Sequence, residues 1–278
     1  MTEASPADSV TRHRLILVGG LHRSGTTPLA RLLGAHPQVS AFHDTGVKED
    51  EGQHLQDVYP SARTYGGAGR FALAPETHLT ETSPLATSDN ARRMFASWSE
   101  HWDLSQPVLV EKSPPNLVMS RFLQKLFPDA RFLMIVRHPA VVAMSTSKWA
   151  PGTSIADLVE HWLVAHETFL ADAGRLRAVR VVKYERMLAE PKETLGELAA
   201  YLELDEPLSA DSLEQGRSTR YQEDWNARLS GGNPWRRRQV RAAIERYAER
   251  VAQFGYNLED LSQVGAFPDL ASGFAAGN

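Results

Sequence analysis

A glycine-rich turn near the start of the chain has the residue types and the spacing needed to bind phosphate. Residues 20–27 read GLHRSGTT and directly follow an apolar run, Leu15 to Val18. Gly20 and Gly25 have the spacing of G-x-x-x-x-G-K-[ST], a loop whose backbone N–H groups surround phosphate oxygens. Thr26 stands where that pattern has lysine. The segment therefore predicts a strand–loop–helix phosphate cradle without the usual lysine.

Other groups in the same loop can take over the contribution of the lysine. Arg23, two residues before Gly25, supplies a cation that enters the loop from a different side. Backbone N–H groups at the start of a helix bind anions with the help of the helix dipole. We therefore expect Arg23, Ser24, Gly25, Thr26 and Thr27 to contact a phosphate group through side-chain or backbone donors.

A second candidate phosphate site follows the apolar run FLMIV at residues 132–136. Arg137 ends this run, and Ser145 lies eight residues further on, within a predicted helix. An arginine at the carboxyl end of a parallel strand faces the ligand crevice, where it can hold a phosphate through two N–H groups. The intervening residues can return Ser145 to the same side, so the two residues are predicted to form one site.

Together, these two segments resemble the cofactor motifs of sulfotransferases that use 3′-phosphoadenosine 5′-phosphosulfate (PAPS) as sulfuryl donor. GGLHRSGTTPLARLL is similar to the loop that binds the 5′-phosphosulfate, where protein-tyrosine and many bacterial members also have an arginine. Arg137 and Ser145 are similar to the pair that holds the 3′-phosphate. The resemblance covers about Leu15 to Leu204 and implies an α/β, P-loop-type three-layer fold with a central parallel sheet flanked by helices.

Two further segments fit this resemblance. EKSPPN places Lys112 where related enzymes have a lysine beside the transferred sulfuryl group, which implies charge stabilisation in the transition state. A loop lysine paired with Glu111 is the alternative. VRVVKYE resembles a strand whose tyrosine lies near the nucleotide, which assigns Tyr184 to cofactor binding; a simple core tyrosine is the alternative.

The loop after the first predicted helix is the expected source of a general base. Aligning its His-Pro turn, AHPQV, with that of the tyrosine enzymes places Asp44 opposite their catalytic glutamate and His43 opposite the neighbouring one. Asp44 is thus the first candidate and His43 the second. The same loop also contains Glu49, Glu51 and His54.

The chain departs from the family pattern at two places. Trp149 stands where some members have a second arginine, four residues after the serine. The R-K-G segment that closes over the cofactor in the cytosolic enzymes is absent, and Arg217, Ser218 or Arg220 is the expected replacement, with Arg220 assigned to cofactor binding.

The elements that must position these residues alternate between strand and helix, which is typical of a parallel α/β sheet. Two stretches, 41–70 and 215–235, are predicted to be irregular. A single domain is expected over 13–264, between a flexible segment (1–12) and a loose tail (265–278). The further predicted strands are 107–113, 131–137 and 178–184, and the predicted helices are 116–127, 139–149, 154–174, 191–204 and 236–256.

Composition limits the remaining possibilities. The 278 residues contain no cysteine, so neither disulfides nor thiolate metal sites are expected. Their net charge of -4 does not indicate a surface that attracts nucleic acid. No apolar run reaches the ~20 residues of a membrane span. We expect a cytoplasmic bacterial protein without a metal that acts on a small-molecule or carrier-bound hydroxyl and releases adenosine 3′,5′-bisphosphate. Oligomers are possible. The alternatives are a P-loop kinase and a non-catalytic nucleotide-binding protein.

Overall fold

Five parallel strands form the centre of the molecule, in the order β2-β3-β1-β4-β5. The computed structural model describes residues 12–211, 213, 216 and 218–270. Residues 1–11 of the predicted flexible segment (1–12) and residues 271–278 of the predicted tail (265–278) lie outside them. The strands are β1 (Arg14–Gly19), β2 (Val39–Ala41), β3 (Val108–Lys112), β4 (Arg131–Val136) and β5 (Val179–Lys183).

Helices cover both faces of this sheet. Those in the described part of the chain are α1 (Thr26–Gly34), α2 (Ser88–Ser99), α3 (Ser120–Leu126), α4 (Pro139–Thr146), α5 (Ile155–Ala173), α6 (Tyr184–Ala189), α7 (Pro191–Leu202), α8 (Thr219–Ser230) and α9 (Pro234–Ala252). Short 3₁₀ turns lie at Lys48–Asp50, Gly52–His54, Ala62–Tyr65, Phe71–Leu73, Pro75–Thr77 and Pro114–Leu117.

Alternation along the strands creates two hydrophobic cores. Leu15 and Leu17 point into the larger core, shared with α2 to α5, α8 and α9. Ile16 and Val18 point into the smaller one, shared with α1, α6 and α7. Because neighbouring side chains of a strand lie on opposite faces, an unbroken apolar run needs cover on both sides. The predicted three-layer α/β fold is therefore confirmed.

The strand register brings the candidate residues to one edge of the sheet. Val18 lies opposite Lys112 in the β1–β3 pair, and Val136 lies opposite Lys183 in the β4–β5 pair. The residues that follow these strands, including Arg137 and Tyr184, thus meet at the carboxyl end of the sheet. This edge is where open α/β sheets bind ligands.

One predicted irregular stretch is largely helical. The prediction for residues 215–235 was wrong over α8, which packs against α4 and α9. Trp225 is fully buried there, and its indole N–H donates to the carbonyl of Leu258 over 2.9 Å. Tertiary packing of this single tryptophan outweighs the polar composition of the segment.

The predicted helix over 116–127 is shorter than expected, because a 3₁₀ turn at Pro114–Leu117 precedes α3. At the other end of the chain, Gly265 accepts a hydrogen bond from Lys183 Nζ over 2.7 Å, and the Phe267 ring lies 5.6 Å from that of Phe254.

None of the helices in the described residues has the length and apolarity needed to cross a membrane.

Candidate active site

The phosphate-type loop between β1 and α1 has an unusual backbone. Gly20, Arg23 and Gly25 have φ angles of +141°, +72° and +104°. A Cβ atom on Gly25 would lie 2.6 Å from Cδ2 of Tyr184, so only glycine fits at this position. The loop is therefore closed against the tyrosine that follows β5, and its first helical N–H groups have no partner within the helix.

The two candidate phosphate sites, far apart in sequence, meet in the structure. Arg23 Nε donates to Ser145 Oγ over 2.9 Å, and Arg137 Nη1 donates to the carbonyl of Arg23 over 3.0 Å. The Arg137 guanidinium also lies over the Tyr184 ring, 4.2 Å from its centroid. Four of the residues singled out in the sequence thus lie together at the carboxyl end of the sheet.

Unpaired buried donors at this place fit a phosphate ligand. Ser24 Oγ and Arg137 Nε are buried and have no hydrogen-bond partner among the described residues. Burial lowers the pKa of Arg137, and the neighbouring cation Arg23 adds to this effect. Buried polar groups without partners destabilise a protein, so an anion that accepts from them would be bound strongly. Thr26 is buried beside them.

The start of α8 also contacts this group of residues. Arg137 Nη2 donates to Ser218 Oγ over 2.8 Å, so one of the predicted replacement residues does reach the site. Arg220 is exposed in the first turn of α8, and Arg217 lies outside the described residues.

Two residues next to the start of α8 were not predicted from the sequence. The Tyr221 hydroxyl lies 3.4 Å from Lys148 Nζ, whose ammonium stands 4.8 Å above the tyrosine ring. A hydrogen bond with Ser145 is the main cause that lowers the pKa of Tyr221. Lys148 follows Ser145 by three residues, a helical spacing that could have suggested it. Tyr221 carries no such signal.

Lys112 is buried at the end of β3 and is linked to the phosphate loop through Glu49. Its Nζ donates to the carbonyl of Glu49 over 2.5 Å and lies 3.4 Å from Oε1 of Glu51. Glu49 in turn accepts from Thr27 Oγ1 over 3.2 Å. The ion pair is thus with Glu51 rather than Glu111. An ammonium has three N–H donors, so one stays available for a ligand.

The candidates for a general base lie in different surroundings. The side chains of His43 and Asp44 are 79% and 87% exposed, and they contact each other over 3.0 Å between Nδ1 and Oδ2. Glu51, by contrast, is 4% exposed. Asp44, Glu49 and Asp50 all have positive φ angles, a strained conformation for residues other than glycine. Such strain in one short loop is common at functional sites.

Comparison with known proteins agrees with this geometry. A profile of the group described as "Sulfotransferase family" matches residues 16–207. Protein-tyrosine sulfotransferase 2 of Gallus gallus is 26% identical over 200 residues, covering 68% of this chain and 50% of that protein. Nodulation protein NoeE of Sinorhizobium fredii is 27% identical over 215 residues, covering 67% and 49%. The chain therefore spans about half the length of these curated relatives.

A solved structure shows the same fold. The sulfotransferase STF1 of Mycobacterium tuberculosis H37Rv aligns with a TM-score of 0.50 and 17% identity, covering 87% of this chain and 79% of that one. The profile match extends over most of the chain and includes the phosphate loop, Lys112 and the Arg137–Ser145 pair. Resemblance and comparison thus agree, and the chain belongs to the sulfotransferase family.

Proposed function

We propose that the enzyme transfers the sulfuryl group of PAPS to a hydroxyl of a small-molecule or carrier-bound acceptor and releases adenosine 3′,5′-bisphosphate. Family membership implies a sulfate donor. The observation that supports this particular donor is the joining of two phosphate sites, through Arg23 Nε to Ser145 Oγ and Arg137 Nη1 to the Arg23 carbonyl. A donor with phosphate at both its 5′ and 3′ positions needs two such sites in one crevice.

Each side chain has a distinct task in this proposal. Arg137, Ser145 and Ser218 bind the 3′-phosphate, with Lys148 and Tyr221 beside them. Arg23, Ser24, Gly25, Thr26 and Thr27 bind the 5′ side, and Tyr184 packs near the nucleotide. When bound, the donor supplies an electrophilic sulfuryl group. Arg23 and the loop amides then neutralise charge on the leaving phosphate oxygen, while the free N–H of Lys112 contacts the sulfuryl oxygens.

The acceptor must also lose a proton to a base, which contributes about 10²–10⁴ in rate. The sequence ranks Asp44 first and His43 second, with Glu49, Glu51 and His54 in the same loop. Several relatives have the name protein-tyrosine sulfotransferase. A phenolic hydroxyl is therefore one acceptor to test. The cytoplasmic location, the bacterial origin and the lack of a membrane or nucleic-acid partner stay predictions.

A binding experiment with two ligands tests the donor. We expect adenosine 3′,5′-bisphosphate to raise the unfolding temperature clearly, and ATP with magnesium to raise it less, because the loop lacks the lysine of P-loop kinases. Stronger stabilisation by ATP would instead support a P-loop kinase. Incubation with ³⁵S-labelled PAPS and a set of phenols, sugars and hydroxyacyl thioesters then tests transfer. Bisphosphate binding without transfer to any of them would support a non-catalytic nucleotide-binding protein.

A further inference from the structure

Three charged side chains are buried together where β3 ends beneath the loop that follows β2. Glu51, Lys112 and Glu111 are 4%, 3% and 0% exposed. Lys112 Nζ lies 3.4 Å from Oε1 of Glu51. Charged residues are almost never buried to this extent without a partner. Here the one ammonium pairs with Glu51, and Glu111 acts on it only through its charge.

The contacts of the two carboxylates differ in a way that assigns them different tasks. Both oxygens of Glu111 are occupied, by Ser113 Oγ and Asn116 Nδ2, each at 2.5 Å. Glu51 accepts from Gln53 Nε2 over 2.5 Å through Oε2, and its Oε1 faces Lys112. Glu51 therefore keeps acceptor capacity on the side of the lysine, whereas Glu111 is held fixed behind it.

The loop that carries Glu51 is packed directly on Glu111. A Cβ atom on Gly52 would lie 2.5 Å from Cγ of Glu111, and the backbone N–H of Gln53 donates to Ser113 Oγ over 2.8 Å. Glu51 is thereby fixed next to Lys112, which itself contacts the Glu49 carbonyl beside Thr27 of the phosphate loop.

The charge balance of this cluster favours uptake of one proton. Burial raises the pKa of Glu51 and, for Glu111, raises the pKa to about 7. Lys112 opposes this effect at both carboxyls, while the Glu51 carboxylate raises the pKa of Glu111 and the Glu49 carboxylate raises that of Glu51. With both carboxylates ionised, the cluster has a net negative charge in a buried place, so a proton is accepted readily near neutral pH. The other polar groups that face it are Glu49, Gln53, His54, Tyr59, Ser113 and Asn116.

We propose that Glu51 is the general base of the transfer and that Glu111 is a positioning residue whose charge strengthens it. This inference rests on the proposed function. The acceptor oxygen forms a bond to sulfur, and the bond between sulfur and the 5′-phosphate oxygen breaks, leaving its electron pair on that oxygen. The acceptor proton moves to the Glu51 carboxylate beside Lys112.

A route for the proton to leave lies next to Glu51. His54 Nε2 is 3.7 Å from Oε2 of Glu51, and its side chain is 23% exposed. The imidazole lines an open surface cavity of about 490 Å³ together with Gln56, Asp57 and Arg93. Burial and the nearby cations Lys48 and Lys112 lower the pKa of His54, so the imidazole is neutral at pH 7 and, once protonated, readily releases the proton to water.

Asp44 and Glu49 are less suited to the same task in this structure. The Asp44 side chain is 87% exposed, so water stabilises its charge, and its contact is with His43. The Glu49 carboxylate accepts from Thr27 on the surface of the loop. A base is stronger where water is excluded and a like charge is close, and among these three carboxylates only Glu51 meets both conditions.

Kinetics of single variants with a working acceptor test the proposal. We expect Glu51→Gln to lower kcat by about 10²–10³ while the Kd for adenosine 3′,5′-bisphosphate changes less than threefold. Glu111→Gln removes the repelling charge, so the acid limb of the kcat–pH profile moves to lower pH and the plateau falls about tenfold. Glu245→Gln, which changes a carboxylate on the exposed surface of α9, is the matched control and should retain kcat within threefold. Full turnover by Glu51→Gln, or a loss only in Asp44→Asn, would overturn the assignment.

A second measurement, made first on the wild-type protein, does not depend on activity. Infrared difference spectra of the wild-type protein should show the carbonyl band of a buried protonated carboxyl, which appears as the pH falls through about 7. Glu111→Gln should alter this band. Absence of the band in the wild type would contradict the buried cluster. Failure of the wild type to bind the bisphosphate or to transfer sulfur would contradict the proposed function instead, and the two failures are therefore distinguishable.

Discussion

Arg137 is the residue on which most contacts of the candidate site converge. It donates to the Arg23 carbonyl and to Ser218, it lies over Tyr184, and its Nε has no partner among the described residues. A guanidinium presents five donors in a fixed plane, which suits a phosphate group better than an ammonium does. The protein uses some of these donors to hold the crevice together and leaves another for the ligand.

Replacing Arg137 should therefore weaken the binding of a 3′-phosphate specifically. We expect Arg137→Ala to raise the Kd for adenosine 3′,5′-bisphosphate by about 10–100-fold, since hydrogen bonds to charged groups contribute ~1.5–3 kcal/mol. The Kd for adenosine 5′-monophosphate should change less than about threefold, because that ligand lacks the phosphate concerned. Isothermal titration of both ligands measures the difference.

Two further variants separate this effect from a general loss of structure. Arg137→Lys keeps the charge but not the planar donor set, so its affinity should fall between those of the wild type and Arg137→Ala. Arg236→Ala, on the exposed surface of α9, should bind both ligands normally. An equal loss of affinity for the two ligands in Arg137→Ala would show that the arginine only supports the fold.

At the scale of elements, the strands and helices that have a local sequence pattern were predicted correctly. The runs within β1 and β4 are continuously apolar, and β3 and β5 have shorter apolar runs at 108–110 and 181–182. Ser154 with Asp157 forms a capping box at the start of α5. The strand β2 has three residues and was not predicted, because so short a segment has no usable pattern. Helix α8 was missed because its stability depends on burying Trp225, a contact with residues far along the chain.

The residues of the candidate site also divide into those that follow from a local sequence pattern and those that meet only through packing. The phosphate loop, Lys112 and the Arg137–Ser145 pair each follow a strand and have a fixed spacing, so the sequence could predict them. Lys148 and Tyr221 meet only because α8 packs on α4. The burial of Glu51 depends on the path of an irregular loop, which no periodicity describes. Sequence reasoning therefore ranked the exposed Asp44 first.

The contact between Gly25 of the phosphate loop and Tyr184 after β5 allows a prediction about how these two elements pack. Gly25→Ala should reduce stability by about 2–5 kcal/mol, from a left-handed backbone and from overlap with the Tyr184 ring. Gly152→Ala is the matched control, because Gly152 also has a positive φ, +81°, but a Cβ there meets no atom within 4 Å. Its loss should be about 1–2 kcal/mol.

Chemical denaturation of both variants measures the two losses. We also expect Gly25→Ala to weaken bisphosphate binding, since displacing Tyr184 moves the ring that lies against Arg137. The control should bind normally. Equal destabilisation by the two substitutions would mean that the loop can move away from Tyr184 at no energetic penalty, and that the two elements are not rigidly coupled.

At the scale of the whole molecule, buried histidines link stability to pH. Burial lowers the pKa of His22 and His161 to about 3, and that of His138 and His166 to about 4, from the ordinary 6.5. All four lie in or against the larger core or the loop above it. They are neutral in the folded protein at pH values where an unfolded chain would already protonate them.

The direction of the resulting pH dependence follows from these shifts. Because the folded pKa values are lowered, the unfolded state binds more protons below pH 6.5, and stability is lost as the pH falls from about 6.5 towards 4. Buried carboxyls act in the opposite direction: Glu51, Glu111 and Glu185 have raised pKa values and take up protons in the folded state first. The net slope is therefore smaller than four histidines alone would produce.

A single histidine variant can isolate one contribution. His161 is 3% exposed, its Nε2 has no partner among the described residues, and its ring packs against Phe71 with centroids 5.0 Å apart. We expect His161→Gln to reduce the slope of the unfolding free energy between about pH 6 and 4 by roughly one proton, ~1.4 kcal/mol per pH unit. Urea denaturation of both proteins at intervals from about pH 8 downwards measures it, with the alkaline values correcting for lost packing. Parallel curves for the two proteins would show that His161 is protonated in the folded state and that burial does not control its charge.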